Sequence, residues 1–242
     1  MAMYYNVKKV RNLYFNGKCI TRLALGKEMT RLVEGDDFVR AQWLVGDGSA
    51  WIQILGFVRN ENWEITTSIA NIQPTTHWIL LYGYGYDAET GYNKAWMAFC
   101  NSNATYIALR RGDGTSYNDI AHSNIASVNT IIDGHNNVIL NGETFSMIGR
   151  QYGQKPEFRI FTQFRDNYST TIEKCSFSEF VVKENNLPIL DLIPCRLLRP
   201  IPATIDANGI ARNAGDCGMY DSVSGKFYGN GASSGTFTVS DN

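Results

Sequence analysis

Apolar and polar residues alternate along this chain in short runs, and no window longer than about ten residues keeps the 3.6-residue period of a helix. Runs at 63–69, 78–83, 95–100, 106–110, 126–133, 138–140, 143–147, 157–164, 175–183 and 187–194 have strand character. Between them stand turn-forming stretches: Asp87-Ala88-Glu89-Thr90-Gly91, Gly112-Asp113-Gly114, Gly134-His135-Asn136-Asn137, Asn141-Gly142 and Asp166-Asn167. Two further short strands flank Gly46-Asp47-Gly48. Closely spaced strands with turn chemistry between them predict an all-β sandwich or jelly roll with almost no helix. Toward the N terminus, Val10, Leu13, Phe15, Cys19, Ile20 and Leu23 surround Asn16-Gly17. Asn-Gly is a strong hairpin signal because both turn positions need positive φ. Residues 4–34 therefore read as a β-meander. A meander of that size buries too little surface to stand alone, so it is expected to lie against the main domain, another subunit or a larger assembly. The polar stretch from Glu34 to Asp37 marks the boundary, giving a segment 1–35 and a domain 36–242.

Composition fits this picture. The 242 residues suit one large sandwich, and the 12% aromatic content and 22 glycines suit many short strands joined by turns. A net charge of −1 with 19% charged residues speaks against a nucleic-acid partner, whose footprint is a basic surface. No apolar run reaches the ~18 residues of a membrane helix. Met1-Ala2-Met3-Tyr4-Tyr5 lacks the apolar core of a signal peptide, so synthesis in a cytoplasm is expected. Charge is unevenly placed, however. Residues 1–35 hold seven basic and two acidic side chains, a net of +5, against 15 basic and 21 acidic in the remainder. Lys8, Lys9, Arg11, Lys18 and Arg22 are candidate contacts to an acidic partner surface; a solvated strand face would look the same. The five cysteines, Cys19, Cys100, Cys175, Cys195 and Cys217, form no CxxC pair and read as free, mostly buried thiols. A hairpin could bring Cys195 and Cys217 together.

The C-terminal third is the most specific part of the chain. Asp191-Leu192-Ile193-Pro194-Cys195-Arg196 is followed by Gly218-Met219-Tyr220-Asp221, a turn over Ser222 to Gly225, a return through Lys226-Phe227-Tyr228, and later Gly235-Thr236-Phe237-Thr238. This string resembles the C-terminal signature of concanavalin A-like (laminin-G-like) jelly-roll domains of tailed-phage structural proteins and gut-bacterial surface proteins. The hairpin from Asn136 to Phe145, with its Asn141-Gly142 turn, and the strands around Phe158–Phe161 and Cys175–Val182 are similar to the family's middle and late elements. The resemblance covers residues 40–242 and departs from the pattern at 197–214, an insertion where the family has a shorter link.

Candidate chemistry is sparse. Retaining glycosidases need two carboxylates about 5 Å apart, and glucanases of this fold carry them as Glu-x-Asp-x-x-Glu on one strand. The chain has no such string: Glu61 and Glu64 would face opposite sides, and Glu173 and Glu179 are six residues apart. Its three histidines, His77, His122 and His135, sit beside no Gly-x-Ser-x-Gly elbow and in no zinc-ligand spacing. Calcium takes loop oxygens such as those of Gly46-Asp47-Gly48, Gly112-Asp113-Gly114 and Asp166-Asn167, but Gly-Asp-Gly is first a turn sequence, and no metal or cofactor is expected. The sharpest ligand candidate is Tyr82-Gly83-Tyr84-Gly85-Tyr86-Asp87 with Tyr92 and Trp96. Alternation puts Tyr82, Tyr84 and Tyr86 on one face, and aromatic rings beside an acid suit carbohydrate. The same stripe would serve as an inner or inter-subunit aromatic layer. The polar stretch Arg110 to Tyr117 reads as a loop.

The resemblance implies a non-enzymatic virion component: a capsid decoration, head-fibre or tail-associated protein. Its segment 1–35 would attach to other virion proteins, and the lectin-like jelly roll would be exposed for adhesion, with host glycans as candidate ligand. Proteins of that kind are often trimers, so a homo-oligomer is expected. The alternatives are a bacterial carbohydrate-binding module and a glycoside hydrolase.

Overall fold

Strand Trp63–Ala70 shows the rule by which the chain folds: Trp63, Ile65, Thr67 and Ile69 are buried, and Glu64, Thr66 and Ser68 face the other way. The computed structural model describes residues 13–15, 18–20, 31–55, 62–74, 79–86, 95–112, 115–122, 125–134, 136–146, 157–162, 164–165 and 174–241; among these there is no helix. The strands are β1 (Leu13–Phe15), β2 (Lys18–Ile20), β3 (Phe38–Arg40), β4 (Trp43–Gly46), β5 (Ile52–Leu55), β6 (Trp63–Ala70) and β7 (Ile79–Tyr86). Next come β8 (Trp96–Cys100), β9 (Ile107–Gly112), β10 (Tyr117–His122), β11 (Val128–Asp133), β12 (Asn137–Leu140), β13 (Glu143–Ser146) and β14 (Glu157–Ile160). The last are β15 (Phe164–Arg165), β16 (Ser176–Glu184), β17 (Leu187–Leu197), β18 (Cys217–Asp221), β19 (Phe227–Tyr228) and β20 (Phe237–Ser240).

β1 and β2 pair as a hairpin across Asn16-Gly17, as the sequence predicts. One large sheet runs β10-β9-β8-β7-β14-β5, with β15 added in parallel to β7. The other runs β13-β12-β11-β6-β16-β17-β18-β19, with β4 on β16, β20 on β4 and β3 on β17. The result is the expected all-β antiparallel sandwich of jelly-roll type. Its core lies between the sheets: Trp96, Ala98, Cys100, Ile107 and Leu109 from one, Ile65, Ile69, Ile131, Phe180, Val182 and Leu192 from the other. Asn141 and Gly142 take φ of 52° and 84°, the conformation a two-residue hairpin turn requires.

Three expectations change. The stretch from Arg110 to Tyr117 is no simple loop, because β9 continues to Gly112 and β10 begins at Tyr117, six residue pairs in register. The run 157–164 is interrupted: Phe161 takes φ of 72° and is fully buried, its ring 4.8 Å from Phe177 and 5.0 Å from Phe237. Segment 197–214, read from the sequence as an insertion, has a packing role. Ile201 and Ile205 join Leu32 and Phe38 over Cys195, Leu197, Tyr220 and Phe227, forming a second core on the outer side of β17 and β18. Arg31 contributes too, its guanidinium donating to the Tyr220 hydroxyl at 3.0 Å and to the Ser222 carbonyl. Packing therefore continues across the expected boundary at residue 35.

Cys195 lies opposite Gly218 and Cys217 opposite Arg196, one register step apart, so the two thiols occupy opposite faces of the sheet. Cys195 belongs to the outer core, and Cys217 packs against the inner one. Cys100, Cys175, Cys195 and Cys217 are all free. Burial pushes the Cys100 thiol up to about 12, so it stays protonated at neutral pH.

Candidate functional site

Tyr82 is fully buried, packed 6.0 Å from the Phe158 ring and 5.4 Å edge-on to Phe180. Trp96 is 2% exposed, between Trp63 at 6.2 Å and Phe158 at 5.6 Å. Of the two readings of the tyrosine stripe, the inner aromatic layer describes these two residues, and neither offers a face to a ligand. The physical reason is a bulge in β7 against β8 between Leu80 and Tyr82, which breaks the simple alternation. Gly83 then sits at φ 126° against β8, where a Cβ would stand 2.3 Å from the Trp96 carbonyl oxygen. Tyr84 and Tyr86 continue the strand, in register with Phe164 and Arg165, but their side chains lie outside the described residues. Asp87 and Tyr92 lie outside them too, as do Lys8, Lys9, Arg11 and Arg22; Lys18 is placed only as the first residue of β2.

Five of the described aspartates are held in structural roles. Asp133 is fully buried between the sheets, ion-paired with Arg111 and accepting from the Trp96 indole at 2.6 Å. Arg111 also donates to the Gly134 carbonyl. Since Arg111 and Trp96 belong to one sheet and Asp133 to the other, this network joins the layers. Asp206 is paired with Arg212 at 2.8 Å, and Asp37 with Arg199. Asp221 accepts from the amides of Asp191, Val223 and Ser224, closing the 222–225 turn. Asp47, in the first Gly-Asp-Gly, accepts from Ser49 and from the Thr236 amide and hydroxyl. Burial opposes its ionisation, yet these bonds outweigh that and hold its carboxyl below the usual range. The turn reading thus accounts for Gly46-Asp47-Gly48, while Asp113, Asp166 and Asn167 lie outside the described residues. Among the described residues no group of three or more His, Cys, Asp or Glu is arranged to hold a metal.

One carboxyl pair stands apart. Glu179 of β16 faces the outward side of the sheet, near Asp191 of β17. Partial burial raises the Glu179 carboxyl, and the neighbouring Asp191 carboxylate raises it further; Arg40 pulls it back. Asp191 is itself held by the Ser222 hydroxyl.

Sequence reasoning missed a cleft of about 430 Å³ between segment 197–214 and the last turn, lined by Ile210, Arg212, Gly215–Cys217, Phe227, Gly229, Asn230 and residues 232–237. Asn230 organises one wall. Its side-chain oxygen accepts from the amides of Trp51 and Ala232, and its amide nitrogen donates to the carbonyls of Ser234 and Gly235. Arg212 forms the opposite wall, tied to Asp206 and donating to the Asn230 carbonyl at 3.2 Å. The Gly229 backbone lies against that guanidinium, where a Cβ would come within 2.5 Å of its central carbon.

No protein-family model and no curated protein matches the chain. Among solved structures it is similar to a crystal structure of polysaccharide lyase family 18, aly-SJ02 r-CATD, over 64% of this chain and 90% of that one. The TM-score is 0.32 and the identity 9%, a likeness that carries nothing about chemistry.

Proposed function

We propose that this chain is a non-enzymatic display module: a virion structural protein of the capsid-decoration, head-fibre or tail-associated kind. In this reading its basic N-terminal segment fixes it to other virion proteins, and the sandwich faces outward for adhesion, assembled as a homo-oligomer. The observation that carries the non-enzymatic part is the employment of its carboxylates. Asp37, Asp47, Asp133, Asp206 and Asp221 each hold a cation or a turn within the fold, which is the work of a scaffold. The C-terminal signature supports the virion assignment, and the +5 charge of residues 1–35 supports the anchor.

Mass spectrometry of purified particles is expected to find the chain. Deleting residues 1–30, which spares the packed Arg31 and Leu32, is expected to abolish incorporation; unchanged incorporation would refute the anchor. A second reading, a glycoside hydrolase, has one observation in its favour: Glu179 carries a raised carboxyl beside Asp191, as a general acid does. Against it, Asp191 is already engaged by the Ser222 hydroxyl within the fold. Release of reducing sugar from a glycan panel, lost in Glu179→Gln, would establish the second reading over the first.

A further inference from the structure

We propose that the cleft between the inserted segment and the 229–237 turn binds one neutral saccharide unit. The inference rests on the adhesion half of the reading above and gives it a location distinct from the tyrosine stripe. Size is the first argument: about 430 Å³ falls within the ~300–1,000 Å³ of small-molecule sites.

Rigidity is the second. Four hydrogen bonds through Asn230 fix one wall, two to Asp47 fix Thr236 at its end, and the Asp206 pair fixes Arg212 opposite. Walls ordered before the ligand arrives leave less entropy to lose on binding.

The third argument is the chemistry the cleft displays. Ser233 and Ser234 are exposed at its rim, and the exposed Gly215 leaves its backbone uncovered there. Ile210, 46% exposed, gives an apolar wall for the C–H face of a pyranose. Asp216, whose carboxylate accepts from the Asn213 amide at 2.9 Å, supplies an acceptor for sugar hydroxyls.

Charge then selects among saccharides. Arg212 is neutralised in contact by Asp206. Arg212 is the one cation among the described lining residues and is already paired, so the cleft offers nothing to draw a sialylated or uronate-bearing ligand. Burial pushes the Cys217 thiol up, away from the nucleophilic thiolate.

The test uses the full chain on a glycan array carrying neutral hexose and N-acetylhexosamine glycans beside sialylated and uronate glycans, with hits titrated by calorimetry. Neutral glycans are expected to be captured. Ser233→Trp, at an exposed position, should fill the mouth and abolish capture with an unchanged melting temperature. Asp216→Asn keeps an acceptor for the Asn213 amide and should weaken binding about tenfold by losing a charge-assisted bond; it also serves if the tryptophan variant misfolds. Capture of no neutral glycan, preference for acidic ones, or parental binding by both variants overturns the proposal. Particle incorporation of Ser233→Trp is expected to be unchanged, so failure here and failure of the anchor reading are told apart.

Discussion

Arg110 and Arg111 are consecutive residues of β9, each with an aspartate partner, and they live in different solvents. Arg110 points outward, making two 2.6 Å bonds to Asp119, with its guanidinium 5.1 Å from the Phe99 ring centre and 4.4 Å from that of Tyr117. Arg111 points inward, 1% exposed, and meets Asp133, 0% exposed, across the gap between the sheets. Period-two alternation sends identical side chains to opposite faces. The outer pair competes with water and contributes little. The inner pair has lost its water on both sides, so each charge depends on the other. Its value is conditional: the intact pair adds little over an apolar substitute, but half of it is ruinous.

The largest expected effect breaks the inner pair. Asp133→Ala strands the Arg111 charge and should cost about 3–5 kcal/mol in urea unfolding. A loss no larger than that of Asp119→Ala would end the distinction. The double variant Arg111→Met, Asp133→Leu should recover most of that loss, since apolar pairs of similar volume often replace buried ions without penalty. Asp206→Ala tests an intermediate case, because Arg212 is 11% exposed and Asp206 also accepts from the amides of Asn208 and Ile210; about 2–3 kcal/mol is expected from the same measurement. Asp119→Ala should cost about 0.5 kcal/mol, and molar salt should shrink even that.

The smallest effect concerns like charges. The folded-state carboxyl of Glu179 titrates above its unfolded value. Its stabilising contribution is therefore full below the unfolded value and lost as pH rises through the folded one. Glu179→Gln cannot ionise, so at neutral pH it should melt about 1 °C above the parent, with the gap closing in acid. A lower melting temperature at neutral pH would show that Glu179 and Asp191 do not repel.

Strand positions were legible in the sequence wherever alternation was clean. Trp63 to Ile69 and the Asn141-Gly142 hairpin are where the pattern puts them, because side-chain period and turn φ are local properties. β10 was hidden because Tyr117-Asn118-Asp119-Ile120 sets Asp119 beside Arg110 and Asn118 beside Arg111, consecutive polar residues that from sequence look like a loop. Tyr82 escapes simple alternation because a bulge after Leu80 turns both Leu81 and Tyr82 toward the core. A bulge between Phe177 and Phe180 does the same on β16, burying two phenylalanines three residues apart and leaving Glu179 outside. The cleft was invisible because Arg212 and Asn230 meet only through the packing of two loops.

By itself the sequence determined that this chain is a β-sandwich and where most of its turns fall, since each depends on a few neighbouring residues. The tertiary structure decided which face of each strand is dry, that Arg31 reaches Tyr220 and Arg111 reaches Asp133, and that an inserted segment builds a second core and one wall of a cleft. Those outcomes depend on pairing between residues far apart in the chain, and burial, which sets the strength of every charge and hydrogen bond here, exists only once the sheets have met.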